Sequence, residues 1–418
     1  MTSGRSRARG ALQGLTGGVL VVGLARSGMA ATRALAATGA TVTAYDREDV
    51  GGELAGVARV VTGGWDDALL DGVELVVKSP GVPTEAPPVA AARARGIEVV
   101  SEIELGARLL PNPILGVTGT NGKTTTTALL GAMLQAGGLP VEVAGNIGRP
   151  LTSLAGETAP EAWVVCELSS FQLEDIVTLR PRVAVLLNLE PDHIDRHGSF
   201  EAYRDAKLRV FENQRPEDVA VVPRGFAPAT GSARRVEFHA NDRLPAAPLI
   251  PGAHNRENAA AATAAARATG IPDDAIAEAL RTFPGVEHRI ESVAEIAGVR
   301  YVNDSKATNA AATLRALASF PGHRLHVILG GRGKHESYEA LAAAFGAGDR
   351  AYLIGEAAPE IDAALAATGV PVTRSGTLER ALADASASAR PGDIVLLSPA
   401  CASFDQFRDF EARGQEFR

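Results

Sequence analysis

The chain has 418 residues, of which 46% are hydrophobic and 22% charged, and its formal net charge is -8. This composition indicates a globular protein of two or three domains, and the negative charge argues against nucleic acid as a partner, because phosphate backbones require a basic face. No run approaches the ~20 apolar residues of a membrane span, so we expect no membrane insertion and a cytoplasmic location.

The two cysteines, Cys166 and Cys401, lie far apart in apolar sequence. We expect buried free thiols in a reducing compartment rather than a disulfide. Residues 1–10 are rich in Arg and Ser and are predicted to be disordered. The apolar stretch 11–25 superficially resembles a signal peptide, but a strand followed by a glycine turn explains it better.

The first predicted domain, 1–110, opens with a βαβ pattern. A strand at 19–23 leads through a glycine turn to a helix at 29–38, and a second strand at 40–45 ends at Asp46 and Arg47. An acidic residue about twenty positions after such a turn is typical of dinucleotide-binding folds. Ala25 replaces the middle glycine, and its methyl would crowd a pyrophosphate, so this signal is weak. Either a nucleotide lies here with Asp46 and Arg47 facing its ribose or base, or the domain is a structural cap without a ligand.

Two further strands complete this domain. One starts at Leu75 and ends in the tight turn Ser79-Pro80-Gly81, at the edge where α/β sheets bind ligands. The other, 97–100, leads into a helix at 102–110. The Pro111-Asn112-Pro113 punctuation then predicts a linker to the second domain, 111–284.

The second domain begins with a phosphate-binding loop. Apolar Ile114-Leu115 precedes the sequence GVTGTNGKTT at 116–125, and a helical run at 126–135 follows. Gly119 and Gly122 allow backbone N–H groups to surround phosphate oxygens, Lys123 would reach the β- and γ-phosphates, and the Thr124 hydroxyl would ligate Mg²⁺. The strict Walker pattern has a glycine where this chain has Val117, so the motif is a variant. The alternative, a turn that only joins strand to helix, leaves the Lys-Thr pair unexplained.

Polar residues follow the next predicted strands. After a polar turn at 144–148 and a strand at 163–166 comes Glu167, which would form a metal pair with Thr124. After the strand 182–187 come Asp192, His193, Asp195 and His197; a zinc cluster is one interpretation, but the spacing fits no defined zinc pattern, and a Mg²⁺ site explains one imidazole more simply.

Two helices end the second domain. Lys207 lies on one of them, and composition alone predicts an ordinary solvated charge there. Asn255 and Asn258 lie one turn apart on an alanine-rich helix, so their amides share a face and could contact an adenine edge; helix capping is the alternative.

The third domain, 285–418, follows a hinge at Phe283-Pro284-Gly285. Strands at 300–302, 325–329, 351–354 and 394–397 alternate with helices and predict a parallel sheet with ligand-facing loops. Lys306, Thr308, Lys334 and Ser403 follow three of these strands, and together they predict a cationic, hydroxyl-rich pocket for a small dicarboxylate.

Together these motifs resemble the Mur ligases of bacterial peptidoglycan synthesis, over nearly the whole chain from Gly23 to Phe410. The motifs are GTNGKTT at 119–125, ELSSFQLE at 167–174, DHIDRH at 192–197, YRDAK at 203–207, HNRENA at 254–259, NDSKATN at 303–309 and SPACASFDQF at 398–407. The phosphate loop without a glycine at 117 is the family's own form. The resemblance implies an α/β protein of three domains: an N-terminal Rossmann-like UDP-binding domain, a central P-loop ATPase domain with a mostly parallel sheet, and a C-terminal Rossmann-like domain.

The resemblance also implies roles for individual residues. Lys123, His193 and Lys207 would serve catalysis. ATP would be bound by Gly119, Thr120, Asn121, Gly122, Lys123, Thr124, Thr125, Asn255, Asn258, Arg289 and Asp304. The UDP-sugar would be bound by Gly23, Arg26, Asp46, Arg47, Ser79, Gly81 and Asn146. D-glutamate would be bound by Thr308, Lys334, Ser403 and Phe410, with Lys306 supporting the pocket. One Mg²⁺ would be bound by Thr124 and Glu167, and a second by His193 and a CO₂-derived carbamate on Lys207.

Within the family, the motifs are most similar to the branch that joins D-glutamate to UDP-N-acetylmuramoyl-L-alanine, and the reaction implied is amide formation through an acyl phosphate, releasing ADP and phosphate. The Asp-Asn-Pro-Arg motif expected of a branch adding a diamino acid is missing. We expect a monomer whose domains close about the 111 and 285 hinges before the chemical steps. Two alternatives remain: a folylpolyglutamate synthetase, and an ATP-binding regulator that senses a UDP-sugar without ligating it.

Overall fold

A computed structural model describes residues 17–49, 56–228, 230–333 and 337–418. The predicted disorder of residues 1–10 and the predicted role of Lys334 lie outside the described residues. The chain forms two compact units: one contains the described residues up to 247 together with 257–281, and the other contains 248–256 and 282–418.

The first sheet has five parallel strands in the order β3-β2-β1-β4-β5. Its strands are β1 (Gly18–Val22), β2 (Val42–Asp46), β3 (Arg59–Thr62), β4 (Val73–Lys78) and β5 (Glu98–Ser101), and its helices are α1 (Arg26–Thr38), α2 (Pro87–Ala94) and α3 (Glu102–Leu109). Residues 19–22 of β1 and 75–78 of β4 are buried, as expected for central strands of a sheet covered on both faces. The strand order reverses between β1 and β4, so the loops after these strands flank the crevice where such sheets bind ligands.

The second sheet belongs to the same unit and has six parallel strands in the order β11-β10-β9-β6-β8-β7. Its strands are β6 (Ile114–Thr118), β7 (Val141–Gly145), β8 (Trp163–Glu167), β9 (Val183–Leu186), β10 (Val219–Pro223) and β11 (Arg234–Phe238). The helices of this stretch of chain are α4 (Lys123–Ala136), α5 (Ser170–Leu173), α6 (Ile194–His197), α7 (Phe200–Leu208), α8 (Ala253–Ala268) and α9 (Asp273–Thr282). Every residue of β6 is buried, and the phosphate loop leaves its carboxyl end between β8 and β9.

The third sheet lies in the other unit, in the order β12-β13-β17-β14-β15-β16, with β12 antiparallel to β13 and the other pairs parallel. Its strands are β12 (Glu291–Ile296), β13 (Val299–Asn303), β14 (Leu325–Gly330), β15 (Arg350–Ile354), β16 (Val372–Gly376) and β17 (Ile394–Leu397). Its helices are α10 (Ala310–Ala318), α11 (Glu339–Ala343), α12 (Ala358–Leu365), α13 (Leu378–Ser388) and α14 (Phe410–Phe417).

These three mostly parallel sheets confirm the predicted α/β fold class. The domain boundaries at 110/111 and 284/285 stay predictions. Cys166 and Cys401 are both buried thiols that are not joined in a disulfide, as predicted. Across the described ranges, no helix combines the length and the apolar character that crossing a bilayer requires.

Candidate active site

The phosphate loop connects β6 to α4 through two glycines with positive φ. Gly119 has φ +148° and Gly122, which precedes the first residue of α4, has φ +82°. A Cβ on Gly122 would lie 2.1 Å from Oδ1 of Asn258, so a side chain at 122 is excluded by a neighbour as well as by the backbone. Thr124 and Thr125, which follow in the first turn of α4, are buried.

Two lysines converge on this loop. Nζ of Lys123 donates to the carbonyls of Gly119 (2.9 Å) and Thr120 (2.8 Å), and Nζ of Lys207 donates to the same Gly119 carbonyl at 2.8 Å. Burial, followed by the nearby charge of Lys123, lowers the pKa of Lys207 from 10.5 to about 6. Lys207 is only 2% exposed, so the prediction from composition of a solvated helical charge is wrong. Lys207 is buried because α7 lies against the phosphate loop. The residue pattern of one helix cannot predict such a contact with a distant part of the chain.

The segment after β9 holds the loop from its other side. The Asn121 N–H donates to Oδ1 of Asn188 (2.8 Å), and the Asn121 side-chain amide donates to Oε2 of Glu190 (2.7 Å). The Tyr203 hydroxyl donates to Thr120 Oγ1 at 2.9 Å. The sequence analysis did not predict a role for Asn188 or Glu190. Their position after the buried strand β9 could have indicated that they lie at the site.

Glu167 ends β8 and is 2% exposed. Its Oε1 accepts a hydrogen bond from the Asn146 side-chain amide at 2.9 Å, whereas its Oε2 is buried and has no hydrogen-bond partner among the described residues. A buried carboxylate oxygen without a partner costs free energy unless a cation or proton compensates it. Together with the buried hydroxyl of Thr124, it fits the oxygen ligands that Mg²⁺ prefers.

His193 lies beside this region on a strained backbone. Its φ of +51° is unusual for a residue with a Cβ, and its side chain is half exposed. The imidazole lies against the Phe171 ring, with centroids 4.9 Å apart, and its Nε2 is 3.6 Å from Oδ2 of Asp192.

Among the side chains that the structure describes, which do not include that of Asp195, no group of three His, Cys, Asp or Glu could hold a metal ion, and the zinc cluster stays an alternative. The His197 ring nitrogens are engaged elsewhere, with Nδ1 3.1 Å from Glu174 and Nε2 3.0 Å from Ser170 Oγ.

A cleft of about 960 Å³ opens at the carboxyl ends of β1, β2 and β4. Its lining includes all seven residues predicted to bind the UDP-sugar: Gly23, Arg26, Asp46, Arg47, Ser79, Gly81 and Asn146. Oδ2 of Asp46 accepts from the Leu24 N–H (2.6 Å) and Ser79 Oγ donates to the Gly23 carbonyl (2.7 Å), so these side chains brace the glycine turn. The predicted polar turn at 144–148 is shorter than expected, because Ala144 and Gly145 end β7 and the turn starts at Asn146. Since Asn146 also contacts Glu167, the cleft adjoins the phosphate loop.

In the other unit, Asp304 follows β13 and is buried. Its carboxylate accepts from the Ser398 hydroxyl (2.7 Å) and the Ile290 N–H (3.2 Å). Burial raises its pKa to about 6, although Ser398 and the Arg289 guanidinium act in the opposite direction. The Arg289 guanidinium is therefore close enough to Asp304 to act on its charge, and the role of both residues in binding ATP stays a prediction. Asn255, near the start of α8, donates through its side-chain amide to the Pro251 carbonyl at 2.6 Å.

The residues predicted to bind D-glutamate follow neighbouring strands of the third sheet. Lys306 and Thr308 lie after β13 and Ser403 lies after β17, the strand next to it. Nζ of Lys306 is 5.5 Å from the centroid of the Phe410 ring, which connects the first loop to the start of α14. Ser403 is buried.

Three segments of the chain match protein families. Residues 17–101 match the MurD-like N-terminal domain of Mur ligases, residues 117–227 match the Mur ligase middle domain, and residues 288–401 match the Mur ligase glutamate ligase domain. Among solved structures, the chain is similar to the UDP-N-acetylmuramate-alanine ligase MurC of Thermotoga maritima (TM-score 0.61, 19% identity, 96% of this chain and 98% of that one). It is also similar to MurF of Acinetobacter baumannii (TM-score 0.57, 18% identity, 83% and 86%). At these identities, the structural likeness shows the fold alone.

Curated relatives resemble the chain over almost its full length. The UDP-N-acetylmuramoylalanine–D-glutamate ligase of Anaeromyxobacter dehalogenans is 46% identical and covers 96% of both chains. That of Sphingopyxis alaskensis is 46% identical and covers 95% of both. The chain belongs to the Mur ligase family, whose members use ATP and Mg²⁺ to form amide bonds in peptidoglycan precursor synthesis. The family predicted from the motifs is thereby confirmed, and the matched relatives belong to its D-glutamate branch.

Proposed function

We propose that this protein is an ATP-dependent ligase that joins D-glutamate to UDP-N-acetylmuramoyl-L-alanine and releases ADP and phosphate. The observation that supports it most is the 46% identity, over 96% of both chains, to a ligase with that name. The phosphate loop, the unpartnered Glu167 oxygen and the adjoining cleft are the features that such a reaction needs.

In the proposed mechanism, the alanyl carboxylate of the UDP-sugar attacks the γ-phosphate in line and gives an acyl phosphate with ADP as leaving group. The D-glutamate amine then attacks the acyl carbon, and the tetrahedral intermediate collapses to the amide and phosphate. Catalysis of phosphoryl transfer depends on positioning and charge stabilisation. The phosphate-loop N–H groups would bind the phosphate oxygens. Lys123, released from its two loop carbonyls, would neutralise the developing charge.

Thr124 and Glu167 are the residues that would hold one Mg²⁺, which supplies charge neutralisation at the phosphates when bound. His193 and a carbamate on Lys207 would hold a second. A carbamate forms only on a neutral amine, and the lowered pKa of Lys207, about 6, keeps this amine mostly neutral at pH 7. A carbamate would also exchange the repulsion between Lys207 and Lys123 for an attraction.

The remaining predicted residues take their roles from the same proposal. The seven cleft residues would bind the uridine nucleotide and sugar, and Asn255, Asn258, Arg289 and Asp304 would bind ATP. Lys306, Thr308, Lys334, Ser403 and Phe410 would bind D-glutamate. We also propose that the protein acts as a cytoplasmic monomer with domains at 1–110, 111–284 and 285–418.

Phosphate release measured with a panel of D- and L-amino acids, in the presence of ATP, Mg²⁺ and UDP-N-acetylmuramoyl-L-alanine, tests this function. Release that requires both the muramoyl nucleotide and D-glutamate is expected. Phosphate release with L-amino acids in place of D-glutamate would indicate another branch of the family. Phosphate release with a folate in place of the muramoyl nucleotide would indicate a folylpolyglutamate synthetase. ATP binding without phosphate release in every combination would favour the regulator.

A further inference from the structure

Arg196 connects the nucleotide cleft to the second sheet. It lies on α6, three residues after His193, and its Nη2 donates to the carbonyls of Pro80 (3.1 Å) and Val82 (3.0 Å). Both carbonyls belong to the loop after β4 that lines the cleft. One guanidinium nitrogen therefore determines the spacing of two peptide groups on either side of Gly81.

The opposite side of the guanidinium lies on an aromatic ring. Its central carbon is 4.3 Å from the centroid of Phe171, a cation–π distance. The same ring lies 4.9 Å from His193 and stacks on His197 at 5.2 Å, with an interplanar angle of 14°. A continuous series of contacts therefore runs from the cleft loop through Arg196 and Phe171 to His193.

A second cation fixes the start of the same loop. Lys78, the last residue of β4, is fully buried, and its Nζ lies 2.7 Å from Asp175 and 3.7 Å from Glu174. Glu174 also contacts His197, at 3.1 Å. Lys78 anchors the loop where it leaves the sheet, the Val82 N–H closes the turn on the Ser79 carbonyl at 3.0 Å, and Arg196 holds the carbonyls of Pro80 and Val82 from outside the turn.

We propose that Arg196 is a positioning residue: it holds the 79–82 loop in the conformation that binds the uridine nucleotide and keeps His193 at a fixed distance from that loop. Only arginine combines a planar face for Phe171 with several N–H donors in a rigid fork; a lysine could donate to the carbonyls but would lose the stacking geometry. The inference rests on the proposed function, which assigns the cleft to the uridine nucleotide, but its binding consequence does not require turnover.

The test compares Arg196→Met and Arg196→Lys with Arg93→Met as a matched control. Arg93 pairs with Asp175 at 2.6 Å across the same contact between the two sheets, but it does not line the cleft. The probes are calorimetric titration with UDP in the absence of ATP, and phosphate release at varied concentrations of UDP-N-acetylmuramoyl-L-alanine and of ATP.

Loss of two hydrogen bonds from a charged donor predicts about tenfold weaker UDP binding in Arg196→Met and a similar rise in KM for the muramoyl substrate. The KM for ATP should stay within about twofold of wild type, because both hydrogen bonds that Arg196→Met removes go to carbonyls of the cleft loop. Arg196→Lys should recover part of the UDP affinity, and Arg93→Met should match wild type.

The inference is overturned if Arg196→Met binds UDP as wild type does, or if Arg93→Met weakens UDP binding equally, since the effect would then be general loosening of this contact. If Arg196→Met fails to fold, Arg196→Lys decides alone, with wild-type UDP affinity contradicting the inference. Wild-type protein that binds UDP but releases no phosphate would defeat the proposed function and leave the UDP comparison valid.

Discussion

Lys123 and Lys207 donate to one oxygen, the carbonyl of Gly119, at 2.9 and 2.8 Å. Two ammonium groups this close repel each other, and the buried one loses its proton more readily, which is why the pKa of Lys207 falls to about 6 through burial and the charge of Lys123. The arrangement separates the two lysines chemically. In the proposed mechanism, Lys123 serves the phosphate and Lys207 is the amine that reacts with CO₂.

Removal of the Lys207 amine should abolish most turnover, and a small acid should restore part of it. In Lys207→Ala, a short-chain carboxylate such as acetate or propionate can occupy the vacated space and supply the anion that the carbamate would provide. The measurement is phosphate release against carboxylate concentration, with wild-type protein as the control that carboxylates do not accelerate. Full turnover of Lys207→Ala without added acid would contradict the carbamate.

Lys123→Ala should lower kcat by roughly 10²-fold or more, because a charge that stabilises the transferring phosphoryl group is lost. The fold should be intact, since the hydrogen bonds of the amine to Gly119 and Thr120 lie within its own loop. Steady-state phosphate release and a thermal unfolding curve together check this. Arg95→Ala, which removes a surface cation paired with Asp71, is the control and should leave kcat unchanged. Near-normal turnover of Lys123→Ala would be inconsistent with the proposed mechanism.

Gly122→Ala should damage both ATP binding and stability, whereas Gly270→Ala should affect stability alone. The two glycines have similar φ values, +82° and +87°, but only at 122 would the new methyl meet a neighbour, Asn258, at 2.1 Å. The left-handed backbone costs an alanine about 1 kcal/mol at either site. Gly270→Ala should therefore lose about 1 kcal/mol of unfolding free energy and keep its KM for ATP. Gly122→Ala should lose more unfolding free energy and have a raised KM for ATP. Equal KM values would show that the clash relaxes without disturbing the loop.

The strands that the sequence predicted are mostly those whose side chains are buried on both faces. Val19 to Val22 and Ile394 to Leu397 form continuous apolar runs because helices cover both sides, and runs of this kind identified most of the interior strands. The edge strands β3, β7, β11, β12 and β16 were missed, since charged or polar residues interrupt their apolar ones and most of their residues are at least partly exposed. The interior strand β10 was missed as well, although its residues 219–222 are buried.

Site residues divide in a similar way. Position after a buried strand was sufficient to select Glu167 and the phosphate loop, because the carboxyl ends of parallel strands meet at one edge. Lys207 and Arg196 act across elements distant in sequence, Lys207 on Gly119 and Arg196 on Pro80. Local periodicity contains no information about such contacts, so Lys207 needed the family resemblance and Arg196 needed the structure.

Replacing either of two buried glutamates of α3, Glu102 and Glu104, by glutamine should change the stability of the protein in opposite directions. Burial raises the pKa of Glu102 from 4.5 to about 7, and among the described residues only Thr152 donates to it, through its N–H and hydroxyl at 2.7 Å. Burial also acts to raise the pKa of Glu104. Hydrogen bonds from Thr178, Val177, Arg108 and Leu179 outweigh burial and hold that pKa below 4.5.

The sign of each pH effect follows from proton binding. Folded Glu102 keeps its proton up to about pH 7 whereas the unfolded chain releases it near 4.5, so its contribution to stability falls as pH rises between these values. Glu102→Gln should therefore have a free energy of unfolding higher than that of wild type at pH 7.5, by on the order of 2 kcal/mol, and the difference should disappear near pH 4.5.

Glu104 contributes stability above pH 4.5, and this contribution is lost as pH falls through the pKa of Glu104 in the folded protein. Glu104→Gln should cost roughly 3 kcal/mol at pH 7.5, because an amide offers one acceptor oxygen where the carboxylate offers two. Denaturant unfolding of both variants at pH 5 and 7.5 checks the pair, and a Glu102→Gln protein less stable than wild type at pH 7.5 would mean that the fold favours the carboxylate form of Glu102 and does not raise its pKa.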